Sequence, residues 1–246
     1  MKHKQDTFFA LSTPLGKSAT ATVRVSGPRS PDILKKITKK NLRFFKPNAA
    51  RLVSIYNKNN SLIDKCVVVY YRKPKSYTGE NVIEINTHGN PIIIQKLFDV
   101  FLDLGIRLAK AGEFTKTAYN NNKIDLVQAE AVFNLINAQT EQGINLSLNN
   151  LEGKLSNEFL SIRKDLQQSL SLIEYELDIS EVDTQTNTTK TVYANLKKTN
   201  TKIKALIKSY RASKVLISGA KVVIADINPE TGKKISNDIK GKSGKS

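Results

Sequence analysis

VIEINTHGNPIIIQKLFDVFLDLG, residues 82–105, holds the two periods that decide the fold. Its first part, VIEINTH (82–88), is rich in β-branched residues and reads as a strand, with Glu84 set among apolar neighbours. Pro91 then begins a helix over IIIQKLFDVFLDL, and Gly105 stops it. Three earlier runs, FFAL (8–11), ATATVRVS (19–26) and IDKCVVVYY (63–71), read as further strands. Ser30-Pro31 opens another helix through about Lys40, with proline at the first-turn position where it is tolerated. Strand and helix mixed in this way over residues 8–110 predict an α+β or α/β domain.

From about residue 112 the pattern turns helical. Leu148, Leu151, Leu155, Phe159, Ile162, Leu166, Leu170, Ile173 and Leu177 follow steps of three and four. At 1.5 Å per residue this stripe predicts one rod of roughly 45 Å. A second stripe, Leu196, Ile203, Ile207 and Tyr210, lies beyond TQTNTTK (184–190), which reads as a linker. Helices with one apolar face bury it against other helices, so an all-α helical-bundle domain is expected.

The chain has 246 residues, enough for one large domain or two ordinary ones. Cys66 is its single cysteine, which excludes a disulfide framework and a cysteine-built zinc site, and it reads as a packing residue. The two histidines, His3 and His88, do not make a metal site. No apolar run approaches the roughly 20 residues of a membrane span, and MKHKQDTFFALSTP lacks the apolar core of a signal peptide. A cytoplasmic protein without membrane contact is expected. The formal charge is +17, of which residues 190–246 supply 14 basic against 3 acidic side chains. A basic excess at one end suggests a polyanion partner, nucleic acid first, although a general drift toward lysine reads the same way.

Three polar segments stand out. VRVSGP (23–28) places Arg24 inside an apolar strand. SYTGENVIEINTHGNP (76–91) is a turn, the strand carrying Glu84, then His88-Gly89 before a helix. AGEFTKTAYNNNKIDLVQAEA (111–131) joins the two halves. A charge in an apolar strand needs a partner or a ligand, so Arg24 and Glu84 form either a structural ion pair or part of a binding site.

DTFFALSTPLGKSATATVRVSGP, SYTGENVIEINTHGNP and AGEFTKTAYNNNKIDLVQAEAVFNLINAQT, in that order, resemble the MnmE (TrmE) family of tRNA modification GTPases. The resemblance runs from about Asp6 to Ala225 and includes KVVIA (221–225), which is similar to the strand leading into the family's GTPase domain. It implies an α+β N-terminal domain of the folate-binding, aminomethyltransferase-like kind over 1–119, and the first part of a helical domain over 120–217. It further implies a truncated, degenerate start of a GTPase domain over 218–246. A 5-formyltetrahydrofolate one-carbon donor, a homodimer, the flavoprotein partner MnmG and tRNA modified at C5 of the wobble uridine are likewise implied. The family's folate contacts fall on Arg24, Glu84 and Lys123; for all three to meet, residues 112–125 must fold back onto the N-terminal domain. No catalytic residue and no metal ligand is assigned.

Two departures matter. Asn90 replaces a family glycine after His88-Gly89, and asparagine is expected to keep the turn because it tolerates positive φ. His88 itself is read either as a ligand contact or as a backbone-bonding residue at a helix entry. A phosphate loop needs G-x-x-x-x-G-K-[ST], yet KVVIA is followed by DINPETGKKISN, where Lys234 stands at the Ser/Thr position, and in the closing GKSGKS Ile239 stands at the first glycine. GTP, magnesium and potassium would therefore enter only with a working GTPase domain. Asn122-Lys123-Ile124-Asp125 imitates the guanine-specificity pattern but precedes any phosphate loop. The alternative to the folate reading is a noncatalytic tRNA- or MnmG-binding adaptor acting through the basic helices of 190–215.

Overall fold

The computed structural model describes residues 6–179 and 188–218. The chain divides into two compact units, Met1–Ala129 and Glu130–Ser246. The first unit is built on six strands: β1 (Phe8–Leu11), β2 (Ser18–Ser26), β3 (Ala50–Tyr56), β4 (Leu62–Tyr71), β5 (Val82–Gly89) and β6 (Arg107–Leu108). They lie in the order β3-β4-β5-β2-β1-β6, antiparallel throughout except for the parallel β1–β6 pair at one edge. This is the α+β domain that the sequence predicts.

Side chains alternate across each strand, and that alternation separates the core from the candidate site. Phe9, Val23, Val25, Ile83, Ile85, Val68 and Ile55 point to one face and are fully buried. Helices α1 (Ser30–Thr38) and α2 (Pro91–Asp103) cover that face with Ile33, Leu34, Ile37, Leu97 and Phe101. Burying each such side chain stabilises the domain by about 1.5–3 kcal/mol. Cys66 belongs to this layer, and burial pushes its thiol up to about 12. The opposite face carries Thr22, Arg24, Glu84 and Asn86, all partly exposed. Helix α3 (Glu113–Asn120) reaches one end of it, where Phe114 meets Phe8 edge-on at 5.0 Å between ring centres.

Local boundaries follow the residues. α1 ends at Thr38 because Lys39 turns left-handed at φ 56°, two residues short of the expected limit. α2 starts at Pro91 with a capping bond from Ile92 N to the Asn90 side chain, 2.8 Å, and Gly105 at φ 69° follows its last turn. Asn90 is extended at φ −111°, so it replaces a glycine as a helix cap and not as a left-handed turn residue, contrary to the expectation. Strand β3 carries no clear sequence signal and is an addition to the expected strands.

In the second part of the chain the expected single rod is two helices, α5 (Glu141–Leu151) and α6 (Lys154–Ile179). Gly153, at φ 87°, breaks the run although the apolar stripe continues across it. α4 (Leu126–Asn137) precedes them; Asp125 caps it by accepting from Gln128 N at 2.8 Å while Gln128 accepts from Asp125 N, a reciprocal capping box. α7 (Thr188–Ser218) takes in residues 188–190 of the expected linker; residues 184–187 lie outside the described residues. α6 and α7 pack along a seam of Ile162 and Ser169 against Val192 and Thr199, each pair seven residues apart. Much of the predicted stripe flanks this seam and is exposed, including Phe159, Leu166, Leu170 and Leu177. Small hydroxyl residues let the helices approach, and the larger ones stand beside the contact. Among the described residues no helix is long and apolar enough to cross a membrane. The phosphate-loop readings on 221–246 fall outside the described residues.

Gly27 ends β2 at φ 135°, and a Cβ there would lie 2.6 Å from Asp6 O and 2.7 Å from Thr7 Cα. Both the backbone angle and the contact exclude a side chain. Gly27→Ala is expected to cost at least about 2 kcal/mol, read as a lowered urea midpoint. A variant within a few tenths of a kcal/mol of the parent would refute this.

Candidate functional site

β2 and β5 run antiparallel with Arg24 directly opposite Glu84, Val23 opposite Ile85 and Val25 opposite Ile83. The two valines and isoleucines go to the core, which forces both charged side chains onto the face opposite α1 and α2. There Arg24 Nε–H donates to Glu84 Oε1 at 2.6 Å. The side chains retain 42% and 21% of their exposure, so this is a half-solvated pair and not a buried one. Tyr71, at the end of β4, donates its hydroxyl to Glu84 Oε2 at 3.1 Å. Burial, together with the Glu84 charge and hydrogen bond, raises the Tyr71 phenol above its ordinary value, so it remains a donor at neutral pH. Next along the strands, Thr22 Oγ1 donates to Asn86 Oδ1 at 2.7 Å.

Glu84 is thus fixed at both oxygens, while the Arg24 Nη1 and Nη2 groups have no hydrogen-bond partner among the described residues. A fixed acceptor beside a free two-pronged donor can read a planar ligand edge that offers donors and an acceptor together. Tyr71 is invisible as a site residue in the sequence, because it ends the apolar run CVVVYY (66–71) without a polar signal of its own. Only the pairing of Val69 with Glu84 and Tyr71 with Val82 shows that Tyr71 shares the face.

Residues 112–125 do fold back onto the sheet domain. Asn121 Nδ2 donates to Thr78 O at 2.7 Å, and Lys123 Nζ donates to Pro74 O at 3.2 Å. Both rest on the β4–β5 connection, where Gly79 sits at φ 77°; a Cβ there would come 3.2 Å from Asn121 Cβ and Lys123 Cγ. Lys123 is therefore anchored on the loop that follows Tyr71. No hydrogen bond or ion pair joins it to Arg24 or Glu84 among the described residues.

His88 lies outside this group. Its Nδ1 is 2.8 Å from Asp64 Oδ1, its backbone N–H donates to Asp64 Oδ2 at 2.9 Å, and its ring is largely exposed. The partner of its ring is the buried Asp64 carboxylate and not the backbone of the helix entry. Among the described residues no three metal-ligating side chains gather.

A separate cavity of about 510 Å³ lies beside α3, lined by Asp6, Glu80, Arg107, Lys110, Glu113 and Lys116 among others. Arg107 donates to both Glu113 oxygens, at 2.7 and 2.9 Å, and to Asp6 at 2.6 Å. These bonds hold the Glu113 carboxyl below its ordinary value near 4.5. Burial raises Glu80, an effect the Ser26 hydroxyl opposes. Because Glu113 is lowered in the folded state, its stabilisation is complete above the unfolded value and is lost as pH falls through the folded one. Glu113→Gln is expected to melt below the parent at pH 7, with the gap closing as pH falls from about 5 toward about 3. An equal gap at both ends of that range would contradict the assignment.

Comparison with known proteins agrees with the architecture. Residues 7–123 match the family model "GTP-binding protein TrmE N-terminus", and residues 126–245 match "MnmE helical domain". The tRNA modification GTPase MnmE of Aquifex aeolicus (strain VF5) is 38% identical over 224 residues, covering 91% of this chain and 50% of the relative. That of Thermotoga maritima is 40% identical over 228 residues, at 93% and 50% coverage. That of Acetivibrio thermocellus is 34% identical over 245 residues, at 98% and 53%. The chain spans about half the length of the curated relatives it matches. A mixed sheet domain with a polar face opposite its two core helices, followed by a long-helix unit, defines a TrmE-type two-domain chain. The chain belongs to the MnmE family and holds its N-terminal and helical domains.

Proposed function

We propose that the sheet face opposite α1 and α2 binds a 5-formyltetrahydrofolate-type one-carbon donor through Arg24, Glu84 and Lys123, and that the chain serves tRNA wobble-uridine modification. The supporting observation is the Arg24–Glu84 pair, held by Tyr71 and open on its guanidinium side. The donor set fits this ligand. A pterin edge offers an amino group and a ring N–H to a carboxylate, and a carbonyl that a guanidinium can meet. Lys123, kept extended along Gly79, supplies a positive group for a carbonyl or a glutamate tail. When bound, the folate supplies a one-carbon unit carried at N5; this chain's residues bind it and orient it.

The family membership supports the rest of the reading. The relatives are named tRNA modification GTPases, and we assign to this chain a cytoplasmic place in that modification, as a homodimer through its N-terminal domain with MnmG as partner. A noncatalytic adaptor is the second reading, favoured by one observation, the charge of α7.

The test is Glu84→Gln, followed by calorimetric titration with 5-formyltetrahydrofolate and thermal melting. Replacing an acceptor pair by one acceptor and one donor removes a charge-assisted bond of roughly 1.5–3 kcal/mol, so affinity should fall about 10- to 150-fold. The half-solvated pair contributes no more than about 1 kcal/mol to the fold, so melting should barely change. Unchanged folate affinity with a sharply lowered melting temperature would leave only a structural ion pair.

A further inference from the structure

We propose that Lys190, Lys197, Lys204 and Lys208, a straight row on α7, form a binding surface for the phosphate backbone of RNA. The choice of RNA among polyphosphates rests on the proposed place in tRNA modification; the surface itself rests on geometry and charge. A helix turns about 100° per residue, so the seven-residue steps from Lys190 to Lys197 to Lys204 return within about 20° each. Lys208 falls in the same strip, and the row spans about 27 Å at 1.5 Å per residue. All four side chains are exposed. Val192 and Thr199, which face α6, are buried on the opposite side of the helix.

Among the described residues no acidic side chain pairs with the row. α7 carries eight Lys or Arg residues and no Asp or Glu. Among the described residues the ion pair that α7 makes is Lys202 with Asp165 at 2.7 Å, on a different side of the helix from the row. Asp165 also feels Lys164 and Lys198, which lower its carboxyl together with Lys202. None of the four ammonium groups of the row makes an ion pair or hydrogen bond among the described residues. Like charges four residues apart, as at Lys204 and Lys208, destabilise a helix by a few tenths of a kcal/mol. Binding a polyanion relieves that repulsion and releases the polyanion's own counterions.

The residue types favour phosphates over other anions. Lysines act as point charges on flexible stems, which suits successive phosphates better than the forked contacts of a specific protein interface. Ala194, Thr201 and Ala205 border the row on one side, and Asn200 with the exposed Tyr193 borders it on the other.

The experiment uses the whole chain and fluorescence anisotropy with a labelled tRNA transcript over a range of salt. K197Q/K204Q/K208Q is compared with K36Q/K46Q/K96Q, three exposed lysines of the first unit that change the net charge equally. The row variant should flatten the slope of log K against log salt by about 2–3 and weaken binding on the order of 100-fold near 0.1 M salt. The control variant should lose far less. Circular dichroism verifies that both remain helical, and folate titration of the row variant should match the parent. Equal losses in the two variants, or no tRNA binding by the parent, overturns the proposal. Phosphatidylserine vesicles or polyglutamate bound more tightly than tRNA, in a row-dependent way, overturns it in favour of a membrane or an acidic protein. A failed folate titration beside row-dependent tRNA binding removes the folate reading and leaves this one standing.

Discussion

The antiparallel register of β2 on β5 is the constraint on which the first unit depends. It sets Val23 and Val25 against Ile85 and Ile83 on the core side and, by the same step, Arg24 against Glu84 on the other. A slip of β2 by one residue would send Arg24 into the layer under α1 and α2 and expose Val23 and Val25. Core burial and site geometry are therefore one selection, made by a period of two. The charged pair itself contributes little to holding the strands, because it is half-solvated; the apolar layer behind it does that work.

The second layer of organisation is the return of residues 112–125 to the β4–β5 connection. Asn121 and Lys123 bond to backbone carbonyls of that loop, and Gly79 makes room for both. Glu113 and Arg107 tie the start of α3 to β6 and, through Asp6, to the segment that leads into β1. The loop that carries Lys123 is thus fastened at two places, while Glu84 is fixed at both of its oxygens. Such double fixing reduces the ordering that a ligand must impose when it binds.

How much of this is legible in the sequence depends on whether the signal is local. β1 is visible in FFAL, and β2, β4 and β5 in their β-branched runs, to within one residue. β3 is not, because Arg51 and Ser54 interrupt ARLVSIY and its pairing with β4 alone makes it a strand. The break at Gly153 is hidden by a leucine stripe that keeps its period across it. That stripe also misplaces the helix seam: periodicity marks the apolar side, whereas close packing selects the small residues Ser169 and Thr199. Arg24 and Glu84 announce themselves as charges in apolar strands. Tyr71 does not, since its role is set by a cross-strand diagonal, and Asn90 misleads because asparagine suits both a left-handed turn and a helix cap.

Cys66 has a practical consequence. The chain contains one thiol, it lies beneath α1 and α2 in the core, and its high pKa leaves almost no thiolate near neutral pH. Alkylating dyes and spin labels will pass it by in the folded protein. A cysteine introduced on the surface can therefore carry a probe without removal of the native one, and the rate at which Cys66 itself becomes reactive serves as a clock for opening of the sheet.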